Sequence, residues 1–251
     1  MIPWFQFTTI HLGFMTIQVW GLFVALGILC ATWIAAKKAE RDNLHPNLVW
    51  DFSFWVILGA FLGARLFMFV YEPAYYFGNP LEIFKVWNGG FSEMGGIIGA
   101  VATLVWYLQT KKLDAWRYAG CVAYALPLGF GIGRIGCFLI HDHPGTLTHF
   151  ILGVRYPDLP TGQAGGIRHD HGLYLSIEGF FLFLLFVILD RKHAKPQTFV
   201  IAFLILHGII RFFLDFLRAV DVRYFYLTPA QYVSLSMILI GGGILLKWKK
   251  R

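Results

Sequence analysis

Tyr118-Ala-Gly-Cys121-Val-Ala-Tyr-Ala-Leu-Pro127-Leu-Gly-Phe-Gly-Ile-Gly-Arg134-Ile-Gly-Cys137-Phe-Leu-Ile140 is apolar over the length of a bilayer crossing, yet it carries a guanidinium toward its end. A helix rising 1.5 Å per residue needs about 20 apolar residues to cross the hydrocarbon core, and this run supplies them. A charge held at that depth costs several kcal/mol unless something compensates it. Working outward, six further apolar segments have similar length: Ile17 to Ala36, Phe52 to Tyr71, Met94 to Leu108, Leu173 to Leu189, Phe199 to Leu217 and Ala230 to Leu246. Two of them also hold an arginine, Arg65 and Arg211. The pattern predicts an all-α integral membrane protein with seven transmembrane helices, read as a single polytopic domain over residues 1–251.

Composition agrees. The chain is 57% hydrophobic and 14% charged, with 25 Phe in 251 residues and a mean hydropathy of +0.62, far from soluble-domain averages. Its basic residues alternate between loops. Lys37, Lys38 and Arg41, then Lys111, Lys112 and Arg117, then Arg191, Lys192 and Lys195, then Lys247, Lys249, Lys250 and Arg251 fall on one side. Only Lys85, Arg155, Arg168, Arg218 and Arg223 fall on the other. Short cytoplasmic loops concentrate Lys and Arg, so the N-terminus is expected outside and the C-terminus in the cytoplasm. The net charge of +7 then reads as basic loops against anionic lipid, with no nucleic-acid partner expected.

No Lys or Arg precedes Lys37, and the first apolar segment is of full length, so no cleaved leader is expected. Cys30, Cys121 and Cys137 are widely spaced within apolar segments and suggest neither a disulfide framework nor a metal site. The long stretch 141–172, with Pro144, Pro157 and Pro160, reads as a small irregular outward-facing cap. His141-Asp142-His143 and His169-Asp170-His171 flank it. Meeting in space, they would offer imidazoles and carboxylates to a divalent ion; as solvated loop histidines they would bind nothing, and neither a metal nor another cofactor is assigned.

Four stretches carry the chemistry. The first is Gly89-Gly-Phe-Ser-Glu93-Met-Gly95-Gly96, whose glycines suit either close approach to a ligand or small-residue helix packing. The second is Gly133-Arg134-Ile-Gly-Cys137-Phe, running out to Asp142 and Gly145. The third is His207-Gly-Ile-Ile-Arg211-Phe-Phe-Leu-Asp215-Phe-Leu-Arg218, whose four polar residues fall within about 80° of one helical face. The fourth is Leu227-Thr-Pro-Ala-Gln231. Taken in order, with Trp20-Gly21 in the first segment, they resemble the prolipoprotein diacylglyceryl transferase family over nearly the whole chain.

The resemblance implies a transferase of the bacterial cytoplasmic (inner) membrane, with its active site toward the outer face. Such an enzyme moves a diacylglyceryl group from phosphatidylglycerol to the lipobox cysteine thiol of preprolipoprotein signal peptides. The departing glycerol phosphate gains charge in the transition state, which protonated arginine can bind in a poorly hydrated site. Arg134 and Arg211 are therefore the expected catalytic cations, with Asp142 placing the headgroup or leaving group. Arg65, Gly95, Gly96, Cys137, Asp215 and Glu178 are expected at the substrate, and Glu178 needs a partner, for which Arg65, Arg134 and Arg211 are candidates.

Several positions depart from the family pattern. Met94 stands where a histidine is usual, Cys137 replaces an asparagine, His207 a tyrosine, and Asp142 and Asp215 replace glutamates. A thioether cannot take a proton from a thiol of pKa about 8.5. Glu93 and His207 are the candidates to do so. The alternative is a catalytically altered relative that binds anionic phospholipid or uses a different acceptor. A retinal pump is disfavoured because Lys247 lies at the end of the last segment, and a serine hydrolase because no nucleophile elbow surrounds Ser92 or Ser176.

Overall fold

The computed structural model describes residues 1–13, 15–85, 90–159, 162–219 and 223–249. Val86, Trp87, Asn88, Gly89, Pro160, Lys250 and Arg251 lie outside the described residues, as do the side chains of Glu93 and Lys249. The chain forms two compact units, one of residues 1–34 and 119–251, the other of residues 35–118.

Helices dominate. They are α1 (Val19–Arg41), α2 (Pro46–Leu66), the short α3 (Met68–Tyr71) and α4 (Pro73–Gly78), α5 (Glu93–Thr110), α6 (Ala115–Ile140), α7 (His171–Arg191), α8 (Pro196–Leu214) and α9 (Pro229–Lys249). Among the described residues, six helical stretches are long and apolar enough to cross a membrane, and a shorter apolar helix spans Met94–Thr110. The seventh expected segment forms α5, a helix shorter than those six. Pro46, Pro196 and Pro229 open their helices, where a missing N–H costs nothing. Asn43, Lys112 and His193 close α1, α5 and α7 in the left-handed conformation that ends a helix, at φ of 55°, 51° and 55°.

In the unit 35–118, α2 and α5 touch backbone to backbone. A Cβ built on Gly63 would lie 2.4 Å from the Gly95 carbonyl, and one on Gly99 would lie 2.2 Å from that of Gly59. Small residues are what permit such contact between apolar helices. Ser92 caps α5, its Oγ accepting from the Gly95 amide at 3.1 Å.

In the unit 1–34 and 119–251, the same device sets α1 on α6 at Gly27 and Gly129, and α7 on α6 at Gly179 and Gly131. Tyr124, Phe186 and Phe199 form an apolar core among α6, α7 and α8. Stretch 141–172 is more ordered than an irregular cap. It contains a three-stranded antiparallel sheet, β3 (Pro144–Leu147), β4 (Val154–Tyr156) and β5 (Gly166–Asp170), in the order β3-β5-β4, while β1 (Thr9–Leu12) pairs with β2 (Met15–Gln18) near the N-terminus. The strands are too short to show alternation, so side chains rather than pattern fix them. Buried Arg168 donates to the carbonyls of Gly145 (3.1 Å) and Ala164 (2.8 Å), and Ile2 bridges to Val154.

Candidate functional site

The cationic cluster is built where α6 and α8 end. Helix α8 stops at Leu214 and tightens into a 3-10 turn, Asp215–Leu217, before Arg218 turns extended. The helical stripe foreseen from His207 to Arg218 therefore ends early, although Arg211, Asp215 and Arg218 still meet. Fully buried Asp215 lies 3.5 Å from Arg211 Nη2 and 3.6 Å from Arg218 Nη1, both measured to Oδ1. Its other oxygen accepts from Thr228 Oγ1. Thr228 and Gln231 hold the turn from α9: the Gln231 side chain accepts from the Thr228 amide at 2.9 Å and donates to the Phe212 carbonyl at 3.2 Å. This gives the Leu227–Gln231 stretch a purpose that sequence spacing did not show.

Arg134 lies on the last turns of α6, its guanidinium 4.8 Å from the centre of the Phe130 ring and its Nη1 donating to Cys137 Sγ at 3.9 Å. Just beyond, Arg218 Nη2 donates to His143 Nδ1 at 3.2 Å, and His143 Nε2 lies 3.6 Å from Asp142 Oδ2. Burial, then the charges of Arg218, Arg134 and Arg211, push His143 down to about 3. Burial likewise pushes the Asp142 carboxyl up, with Arg134 opposing it. Burial disfavours a charge of either sign at this point, and the three arginines add a bias against a proton on His143.

The same charges bear on metal binding. Cys137, Asp142 and His143 bring ligand atoms within 4.8 Å of one another, the one group of metal-ligating type found among the described residues. A divalent cation placed there would meet the three charges that already oppose a proton on His143. The two His-Asp-His triplets do touch, but each histidine takes a different partner. His141 Nδ1 pairs with Asp170 Oδ2 at 2.7 Å, where Tyr156 also donates at 2.6 Å; His169 bonds Tyr174; His171 bonds the Leu214 carbonyl. Asp170 Oδ1 caps α7 through the Leu173 amide. These roles escaped sequence reasoning, since only tertiary pairing separates a capping Asp from a metal-binding one.

Deeper in the helices, Glu178 on α7 pairs with neither Arg134 nor Arg211. Its Oε1 lies 2.7 Å from His207 Nδ1. Phe203 stacks on the His207 ring at 5.1 Å, and Phe130 meets it edge-on at 4.9 Å.

The other unit treats its arginine differently. Arg65 is 4% exposed. It donates to the carbonyls of Ile83 (2.9 Å), Gly90 (2.7 Å), Glu82 (2.7 Å) and Lys85 (2.7 Å), and lies 5.3 Å from the Phe91 ring centre. Glu178 is not among the partners described for it. Gly95 faces Gly63 within the α2–α5 contact, whereas a Cβ on Gly96 would make only ordinary contacts, at 3.6 Å. Glu93 opens α5.

Fold and site together define a polytopic helical membrane protein that gathers arginines at the ends of its apolar helices. More narrowly, the chain belongs to the prolipoprotein diacylglyceryl transferase family, whose model matches residues 8–247. Similar relatives include the phosphatidylglycerol–prolipoprotein diacylglyceryl transferases of Haemophilus influenzae (strain PittEE), 32% identical over 99% of this chain and 94% of that protein, and of Pseudoalteromonas atlantica, 32% identical over 96% and 88%. That of Bacillus cytotoxicus is 30% identical over 95% and 90%.

Proposed function

We propose that this protein transfers the diacylglyceryl group of phosphatidylglycerol to the lipobox cysteine of a preprolipoprotein signal peptide. Membership of the family supports it, as do the names of relatives aligned over nearly the full chain. The carrying observation within the molecule is the chain of contacts at the ends of membrane helices that runs from Arg211 and Arg218 on Asp215, through Arg218 on His143, to Cys137 beside His143 and Arg134 on Cys137. Guanidinium forks match phosphate oxygens, and their charge gains most from the phosphate as its ester bond breaks. Arg134 and Arg211 hold the headgroup and leaving group, Asp215 orients Arg211 and Arg218, and Asp142 and Cys137 border the anion. Glu93, beside the Met94 position, is the other candidate base, and Gly96 is assigned to substrate by the resemblance.

Arg65 is a scaffold in this reading, and Gly95 belongs to helix packing. The chain is one polytopic domain of the bacterial inner membrane crossing seven times, with α5, of 18 residues, as the short crossing. The basic loops put the C-terminus in the cytoplasm and the stretch 141–172 outside. The lipid then comes from the bilayer and the peptide from the outer side.

The test incubates purified protein with phosphatidylglycerol and a lipobox peptide and reads the peptide's mass. A diacylglyceryl adduct is expected. Phosphatidylglycerol that copurifies with the protein while no adduct forms would instead establish the lipid-binding relative.

A further inference from the structure

We infer, on the reading that this protein alkylates a thiol, that His207 is the base that takes the thiol proton and that Glu178 is the positioning residue that holds it ready. An unperturbed thiol is only a few per cent ionised near neutrality, and Met94 offers no basic atom. Apart from His11 and His169, which bond Thr16 and Tyr174, four described histidines of the unit that holds Arg134 and Arg211 have side-chain hydrogen bonds, and their surroundings separate them.

His143 spends its Nδ1 lone pair on Arg218, a group that can only donate. His141 is hydrogen-bonded to Asp170, but its side chain has 0% exposure and is walled by Trp4, Phe5, Phe138 and Tyr156. His171 is fully buried against the Leu214 carbonyl. His207 alone of the four combines a carboxylate on one nitrogen with membrane-depth placement and an accessible edge: its side chain is 11% exposed, against 2% for Glu178. A carboxylate at Nδ1 keeps the proton there, so Nε2, on the far edge of the ring, carries the lone pair. Arg211 follows one turn later on α8. Phe130, whose ring meets His207, also carries the Arg134 guanidinium. One aromatic ring therefore separates the base from a cation for the leaving group.

The step balances. His207 Nε2 accepts the S–H proton as sulfur bonds to the glycerol carbon that bears the phosphodiester oxygen. That carbon–oxygen bond breaks, and its electron pair leaves on glycerol phosphate, which becomes a dianion. Glu178 stabilises the imidazolium until the proton passes to the departing phosphate or to water. The charged groups facing His207 are Glu178 from α7, Arg134 across Phe130 from α6, and Arg211 on α8 itself. Helix α9 packs on neighbouring Gly208 through Ser234, Met237 and Ile238, which do not titrate.

The experiment uses the full-length protein with phosphatidylglycerol and two acceptor peptides, one with the lipobox cysteine and one with selenocysteine, whose selenol is already ionised at neutral pH. His207→Gln is expected to lower kcat toward the thiol peptide at least about 100-fold, without the acid limb of the pH–rate profile and with an unchanged KM for the lipid. The selenol peptide should restore its rate to within about tenfold of wild type, because no base is then needed. Glu178→Gln should lower kcat toward the thiol peptide about tenfold and change the rate toward the selenol peptide little, since only the proton transfer depends on the imidazole being held ready. Retained lipid binding in both variants reports the fold. Equal losses toward thiol and selenol, or an unaltered His207→Gln profile, would overturn the base. No adduct from wild type with either peptide would overturn the transfer reading and the base with it.

Discussion

Arg65 and the Arg134–Arg211–Arg218 cluster show two ways of keeping arginine in an apolar chain. Arg65 meets four backbone carbonyls of one loop, a set of fixed dipoles that together bear no net charge. Arg211 and Arg218 both reach the carboxylate of Asp215, and together with Arg134 they oppose a proton on His143. Arg168, donating to the carbonyls of Gly145 and Ala164, repeats the Arg65 pattern on a smaller scale. A guanidinium wrapped in carbonyls orders a loop, whereas guanidiniums gathered beside a carboxylate offer their forks to an anion. Counting buried arginines does not separate the two; identifying their acceptors does.

The sharpest way to break this contrast is to exchange the two outcomes. Arg134→Ala should cut kcat by roughly 10²–10³ or more while the fold persists, and Arg134→Lys should recover little, because an ammonium lacks the fork. Lys111→Ala, in a basic loop, should leave the rate unchanged. Equal losses from Arg134→Ala and Lys111→Ala, with intact expression, would remove the anion site.

Arg65→Ala should act on stability, lowering it by roughly 2–4 kcal/mol as the loop carbonyls lose their donor. Turnover by the protein that remains folded should stay within severalfold of wild type. A normal melting temperature with a KM for phosphatidylglycerol raised 100-fold would place Arg65 with the other three.

Within the same unit, Gly95→Ala forces a Cβ to 2.3 Å from both the Gly63 carbonyl oxygen and Phe67 Cβ, while Gly96→Ala meets neighbours at 3.6 Å. The first should cost about 1–3 kcal/mol through separation of α2 and α5, the second well under 1 kcal/mol. Thermal melts of the two variants in one detergent make the comparison, and a reversed order would assign Gly96 to packing.

The smallest effect belongs to His143. Its proton affinity is lowered in the folded protein to about 3 from an ordinary 6.5. Below pH 6.5 the unfolded chain therefore binds the extra proton, so this residue's contribution to stability is present above that pH and declines as pH falls toward 3. NMR of ring-labelled protein should show no His143 titration between pH 5 and 8. Arg218→Ala should raise its midpoint, and an unmoved midpoint would mean that the arginine field is not what governs this imidazole.

Much of this was legible in the chain because composition acts locally. Runs of apolar residues specify membrane helices wherever they fall, prolines mark helix starts, and an arginine inside such a run announces a compensating partner. The order of the motifs from Trp20 to Gln231 was enough to suggest the family. What sequence could not supply was the identity of each partner. Spacing carried the polar stripe of α8 to Arg218 as a helix, but Thr228 and Gln231, reaching across from α9, hold a tighter turn at Asp215.

The sequence by itself determined that this is a helical membrane protein with buried guanidiniums, because the cost of exposing backbone and charge to hydrocarbon depends only on residue type and run length. Only the tertiary structure decided that Arg65 fastens a loop while Arg218 reaches both His143 and the Asp215 carboxylate that Arg211 also meets. It alone gave Glu178 to His207 and Asp170 to His141. Those choices rest on hydrogen-bond distances between residues remote in the chain, and such distances exist only once the helices have packed.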